Sequence, residues 1–261
     1  MIDTVQTLLA TLSGISVGFT LGLVGGGGSI LAVPLMVYVV GVKSPHLAIG
    51  TSALAVAANA LAGLANHARA GNVNWRCGGT YALAGVLGAF AGSTLGKAVD
   101  GQKLLFLFAL LMLVVAGLMF RGRGDEGVEG VVCNRDNFPK VASFGFGTGT
   151  LSGFFGIGGG FLIVPGLIAS TSMPIYRAIG TSLVAVSAFG LTTALNYAAS
   201  GLLDWGIAGS FIAGGVLGSV IGTKAAKRLS GSKGTLNTVF ASMIVLVALY
   251  TLYKSWMAIA A

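Results

Sequence analysis

Charge is scarce in this chain. Of 261 residues, 22 are Lys, Arg, Asp or Glu, or 8%, against about a quarter in a soluble domain. Eight of the 22 lie between Arg121 and Lys140. The other fourteen divide the rest into eight charge-free runs, 4–42, 44–68, 77–96, 104–120, 141–176, 178–203, 205–223 and 234–253. A spanning helix needs about 20 apolar residues. An ordinary soluble fold is therefore excluded, and an all-α polytopic membrane protein is expected. A transmembrane β-barrel is excluded too, because it shows alternating segments of about ten residues.

Acids are absent where many transporters need them. Asp3, Asp100, Asp125, Glu126, Glu129, Asp136 and Asp204 all lie outside the apolar runs. Cation and proton carriers keep a carboxylate at membrane depth. Its absence argues against a cation pump, an acidic-ring channel and carboxylate-based hydrolysis. No Ser/His/Asp set, HExxH, GxSxG or phosphate-binding loop is present, so neither an enzyme nor ATP-driven transport is expected. The two cysteines, Cys77 and Cys133, form no CxxC pair or metal cluster. They read as unpaired thiols, with a disulfide between them as the alternative, and no cofactor or metal is expected. Basic residues exceed acidic ones by eight, but they sit singly at the ends of apolar runs, as membrane orientation places them. Nucleic acid is not an expected partner; the lipid bilayer is. Met1-Ile2-Asp3 has an acid where a signal peptide needs positive charge, so no cleaved signal is expected.

Glycine, by contrast, is abundant, with 43 residues, and much of it is repeated. Gly25-Gly26-Gly27-Gly28-Ser29 through Val33-Pro34 returns as Gly156-Ile157-Gly158-Gly159-Gly160 through Val164-Pro165. Ala48-Ile49-Gly50-Thr51-Ser52 returns as Ala178-Ile179-Gly180-Thr181-Ser182, and Asn66, Gly71 and Trp75 match Asn196, Gly201 and Trp205. Between Ala48 and Lys97, 20 of 50 aligned positions are identical. The chain is a duplication: residues 1–120 and 141–261 are membrane repeats, joined by the charged linker 121–140.

The first run of each half, 39 and 36 residues, is too long for one span at about 1.5 Å per residue. Each is interrupted by its glycine cluster. A single broken helix would give four crossings per half. A re-entrant hairpin would give three and invert the second copy. Four crossings divide the basic residues seven to eight. Three crossings place four on one side (Lys43, Lys97, Lys103, Lys254) and eleven on the other. The positive-inside rule therefore favours two inverted repeats, each a hairpin plus three transmembrane helices. The termini lie outside and the linker in the cytoplasm.

At membrane depth only backbone and small polar groups remain. Short helices of about 29–41 and 161–171 are expected to follow the glycine clusters. Such half-helices point free N–H groups and a positive dipole end at the break, and glycine lets a ligand approach. Two ends meeting near the midplane would bind an anion. Alternatively, the glycines serve only tight helix packing, the role read for Gly14, Gly18 and Gly22 and for Gly88, Gly92 and Gly96. The candidate site comprises Gly25, Gly26, Gly27, Gly28, Ser29, Gly158, Gly159 and Gly160. It adds Thr51, Ser52, Thr181 and Ser182, which cap helices or contact the ligand, and Asn59, Asn66 and Asn196. His67 reads as an interfacial histidine near Arg69, and Trp75 and Trp205 as interface anchors.

The GxxxGxxxG run, the glycine cluster ending in Val-Pro, the Ala-Ile-Gly-Thr-Ser element and the second copy of each resemble the TauE/SafE sulfite-exporter family, also called the toluene sulfonate uptake permeases. The resemblance covers essentially the whole chain. It implies a multi-pass inner-membrane protein of seven or eight segments that moves small anions such as sulfite, sulfonates or sulfoacetate. A secondary transporter is expected, with a proton or sodium as coupling ion and an oligomer compatible with it. An anion channel using the same site and an intramembrane scaffold or enzyme subunit are the alternatives.

Overall fold

The computed structural model describes residues 4–121, 133, 137–157, 160–229 and 233–260. Ten α-helices account for most of them: α1 (Thr4–Val24), α2 (Ala32–Tyr38), α3 (Pro45–Arg69), α4 (Trp75–Ala98), α5 (Gly101–Arg121), α6 (Phe138–Phe155), α7 (Gly160–Thr171), α8 (Ile175–Ala198), α9 (Trp205–Leu229) and α10 (Lys233–Ala260). A 3-10 segment, Gly25–Leu31, joins α1 to α2. Among the described residues, five helices are long and apolar enough to cross a membrane: α1, α3, α5, α8 and α9. The 24-residue α4 has the length to span but dilutes its apolar content with six glycines.

Contacts along the helices fix their directions. His46 lies beside Tyr197 and His67 beside Tyr176, with ring centroids 6.3 and 6.2 Å apart, so α3 and α8 run antiparallel. A Cβ at Gly14, Gly18 or Gly22 would fall on the backbone of Phe211, Gly215 or Ser219. The registers advance together, so α1 and α9 are parallel. Gly145, Gly149 and Gly153 meet Tyr81, Gly85 and Ala89 in the same way, making α6 and α4 parallel. These are the four-residue glycine spacings. Without a Cβ, backbones touch along the whole stripe and gain dispersion contacts that lipid cannot supply. The packing role expected of these glycines holds.

Both glycine clusters reverse the chain. Gln6 Nε2 donates to Val40 O at 3.4 Å, so the end of the first hairpin returns to its start. Gly28 packs on Thr20 and Leu21. In the second hairpin Gly166 of α7 lies against Thr148 of α6, and Gly156 is left-handed at φ 67°, a conformation natural to glycine. Tyr38 Oη lies 3.3 Å from Ser255 Oγ, and Phe106 faces Trp256. The start of α1 and the finish of α10 thus share one end of the bundle, called here the terminal end. The start of α4 marks the other, the linker end.

Two expectations need correction. Cys77 and Cys133, read as unpaired thiols, meet as a disulfide in this structure, with Cα atoms 5.3 Å apart. A sequence separation of 56 conceals that α5 runs back toward the end where α4 starts, which brings residue 133 to the first turn of α4. The first short helix also does not start at Ser29. Ser29 lies inside the 3-10 segment, because four successive glycines permit the tighter winding that side chains resist. The α-helical part is shorter than 29–41, at 32–38.

Candidate functional site

Thr51 and Thr181 lie inside helices, not at their starts. Ser44 caps α3, accepting from Leu47 N at 3.4 Å, and α8 opens after Pro174. The capping role therefore falls away. The Thr51 hydroxyl instead accepts from Asp204 N at 3.0 Å, and Thr181 accepts from Asn74 N at 2.9 Å. Each threonine holds a loop of the opposite repeat, and the two bonds correspond under the 130-residue offset. Both threonines are fully buried, so each satisfies an N–H that would otherwise be stranded. Ser52 and Ser182 bond within their own helices, to Ile49 O and Ile179 O.

The asparagines divide. Asn196 Nδ2 donates to Ser93 Oγ at 2.6 Å and Thr94 Oγ1 at 3.0 Å. Lys97 Nζ donates to Asn196 Oδ1 at 2.9 Å, to its carbonyl at 3.0 Å and to Ser200 Oγ at 2.8 Å. Asn196 is thus committed to tying α8 to α4, with the lysine charge on the last carbonyls of α8, where the helix dipole favours a cation. Asn59 is fully buried midway along α3, with neither amide atom hydrogen-bonded, and Gly215 makes room for it. Asn66 is half-buried near the end of α3. His67 is buried beside it, its Nδ1 3.1 Å from Asn72 Nδ2, so it sits inside the helix packing and not at an open interface. Trp75 and Trp205 are exposed at the starts of α4 and α9, as anchors would be.

The two hairpin tips do not meet. Gly156 packs on Ile49, in the second turn of α3, near the terminal end. Gly22, just before the first tip, packs on Ser219 and Thr223, far along α9 from its start beside Thr51. The tips thus approach opposite ends, because α1 and α6 are each nearly membrane-long. The 3-10 segment of the first tip packs against α7. Candidate residues accordingly form two sets. Gly160, Thr51, Ser52 and Asn196 lie toward the terminal end. Gly25, Gly26, Gly27, Gly28, Ser29, Thr181, Ser182 and Asn66 lie toward the linker end. Gly158 and Gly159 fall outside the described residues. The only described acids, Asp100 and Asp204, cap α5 and α9: each Oδ1 accepts two N–H bonds at 3.0–3.1 Å. Both lie just before the candidate spans that begin at Gly101 and Trp205.

The profile of the family described as sulfite exporter TauE/SafE matches residues 10–251. The chain belongs to the TauE/SafE family. It is 54% identical over 260 residues to a probable membrane transporter protein of Xylella fastidiosa strain 9a5c, covering 99% of this chain and all of the relative. A probable membrane transporter protein of Haemophilus influenzae is 30% identical over 208 residues, covering 76% and 75% of the two chains. The Bacillus subtilis probable membrane transporter protein YdhB is 25% identical over 214 residues, covering 79% and 85%. No solved structure matches. Membership makes the chain a multi-pass protein of a membrane-transporter family, as the charge-free runs indicated.

Sequence reading missed Lys97 and the hydroxyls of Ser152, Thr193 and Tyr197. Lys97 carried a signal, its match with Lys227 across the repeat. The hydroxyls carried none, because their partners in the first repeat are Leu21, Gly63 and His67.

Proposed function

We propose that this TauE/SafE protein is a secondary transporter of small sulfur-containing anions, of sulfite or sulfonate type, in the inner membrane. Its halves are inverted repeats, each a re-entrant hairpin followed by three spanning helices, and the anion binds at a hairpin tip. The observation that carries this reading is the pair of equivalent bonds Thr51–Asp204 and Thr181–Asn74 across antiparallel α3 and α8. Corresponding elements at the two ends of one bundle are what inverted repeats supply for alternating access. Each glycine-rich tip approaches one end, so each can open to one side in turn. The sulfur chemistry comes from the family's description. The scarcity of acid agrees with it, since no described carboxylate lies in a span to repel an anion or hold a cation.

The linker side, with eleven basic residues, faces the cytoplasm in this reading. The Cys77–Cys133 disulfide lies on that same side, where cytosolic thiols keep such pairs reduced. The charge count is the stronger guide to orientation, so the pair is a dithiol in the cell and a disulfide after oxidation.

Purified protein in liposomes tests the proposal. Sulfite and taurine uptake should saturate and respond to an imposed proton or sodium gradient. Unsaturable current would make the protein a channel, and absence of anion flux would leave a scaffold.

A further inference from the structure

Three layers of residues can be followed down the second hairpin toward its tip. Helices α4, α6 and α8 are parallel, since Gly85 meets both Phe189 and Gly145, and Lys97 reaches Asn196. In the upper layer Thr148 donates to Tyr81 Oη at 2.8 Å, and Tyr81 stacks on Phe189 at 6.5 Å. Tyr81 therefore joins the inner face of α6 to that of α8. One turn further, about 6 Å at the helical rise, the same faces present Ser152 and Thr193. In the lowest layer Gly156 meets Ile49, and Tyr197 packs on the adjacent Gly50. Helix α7 passes the same levels in the opposite direction. Its Gly166 meets the Tyr81 hydroxyl, so its first turn, from Gly160, lies beside the lower two layers.

The hydroxyls of Ser152, Thr193 and Tyr197 are all fully buried and have no hydrogen-bond partner. Three unmatched hydroxyls on two neighbouring turns of a membrane bundle are unfavourable unless something binds them. The first turn of α7 adds backbone N–H groups without helical partners and the positive end of the helix dipole. Every group in this set can donate, and no described acid lies in these helices. The equivalent first-repeat positions are Leu21, Gly63 and His67, so the other tip lacks the hydroxyl set.

We infer that Ser152, Thr193, Tyr197 and the α7 N-terminus form the substrate site, at the second hairpin tip alone, for an oxyanion with three terminal oxygens. This rests on the anion-transport reading above and narrows it from two related tips to one. Three hydroxyls match the three oxygens of a sulfite ion or a sulfonate head. The three donors are neutral, and the nearby cation, Lys97 Nζ at 5.9 Å from the Tyr197 ring centroid, is committed to Asn196 and Ser200.

Calorimetric titration of the purified full-length protein with sodium sulfite and with methanesulfonate tests the assignment, beside melting temperatures and liposome uptake. Thr193→Val, Tyr197→Phe and Ser152→Ala should each weaken binding about tenfold or more, the effect of losing a hydrogen bond to a charged group. Thr193→Ser, which keeps the hydroxyl, should bind within about threefold of wild type. Variants that bind both probes as tightly as wild type would overturn the site and leave the transport reading intact. The site also falls if Thr193→Ser binds as poorly as Thr193→Val, because the defect would then follow packing and not the hydroxyl. A wild-type protein that neither binds nor transports either probe would overturn the transport reading and the site together.

Discussion

The Thr51 hydroxyl accepts a hydrogen bond from the backbone N–H of Asp204 at 3.0 Å, across 153 residues of chain. Asp204 in turn caps α9 through Gly206 and Ile207. One side chain of the first repeat thereby fixes the entry of a helix in the second. Thr181 does the same for Asn74, whose Oδ1 accepts from Cys77 N.

Replacing either threonine by valine keeps its shape and strands the loop N–H. Thr51→Val and Thr181→Val should each cost about 1–3 kcal/mol, seen as a lower melting temperature in detergent. Serine at either position should recover most of the loss. The double valine variant should also slow transport, because both repeats lose their grip on each other. Melting temperatures unchanged by both valines would remove these bonds from the account of stability.

The glycine stripes predict a sharp contrast among alanine substitutions. A Cβ at Gly18 would strike the Gly215 carbonyl, and one at Gly92 the Thr150 carbonyl. Gly18→Ala and Gly92→Ala should destabilise by about 1–3 kcal/mol, the usual range for overpacking. Gly147 and Gly209 have nothing within 4 Å of an added Cβ. Alanine there should leave stability unchanged or raise it by about 0.5–1 kcal/mol, since it costs the helix less entropy. Thermal melts of the four variants side by side check the contrast.

Asn59 bears an amide with no partner in the middle of α3, and its repeat equivalent is Phe189. Asn59→Leu keeps the branched heavy-atom skeleton of the amide and removes the stranded polar atoms. It should raise stability by about 1–3 kcal/mol. A fall in the melting temperature would show that the amide is bonded in the membrane. Loss of sulfite uptake in a stable variant would place Asn59 on the pathway.

Orientation and redox state can be tested together. Cysteines introduced at residues 8 and 257, in a background lacking Cys77 and Cys133, should label from outside the cell with an impermeant maleimide. A cysteine at 137 should not. In wild-type cells lysed into alkylating agent, Cys77 and Cys133 should be recovered as alkylated thiols. A disulfide already formed in the cell, together with labelling of residue 137 from outside, would reverse the orientation.

The membrane class, the duplication and the family were legible in the sequence. Each follows from local chemistry: charge-free runs set by bilayer thickness, and motifs repeated at a fixed offset. Charge counting led to the expectation of a chain reversal at the first glycine cluster, and the contact of Gln6 with Val40 shows that reversal. The separation of the two tips was not legible, because it depends on how far α1 and α6 run before turning. Nor was the role of Thr51 and Thr181, whose partners lie in the other repeat. The Cys77–Cys133 disulfide escaped for the same reason, its halves meeting only once α4 and α5 fold back. The buried hydroxyls of Ser152, Thr193 and Tyr197 are the clearest case. In one dimension they are ordinary small or aromatic residues of apolar helices, and only the parallel registration of α6 and α8 puts Ser152 level with Thr193 and one turn from Tyr197. Sequence determined which segments enter the membrane, because solvation acts on each segment by itself. Tertiary structure decided which polar groups are left without partners, because satisfaction of a hydrogen bond depends on what packs opposite.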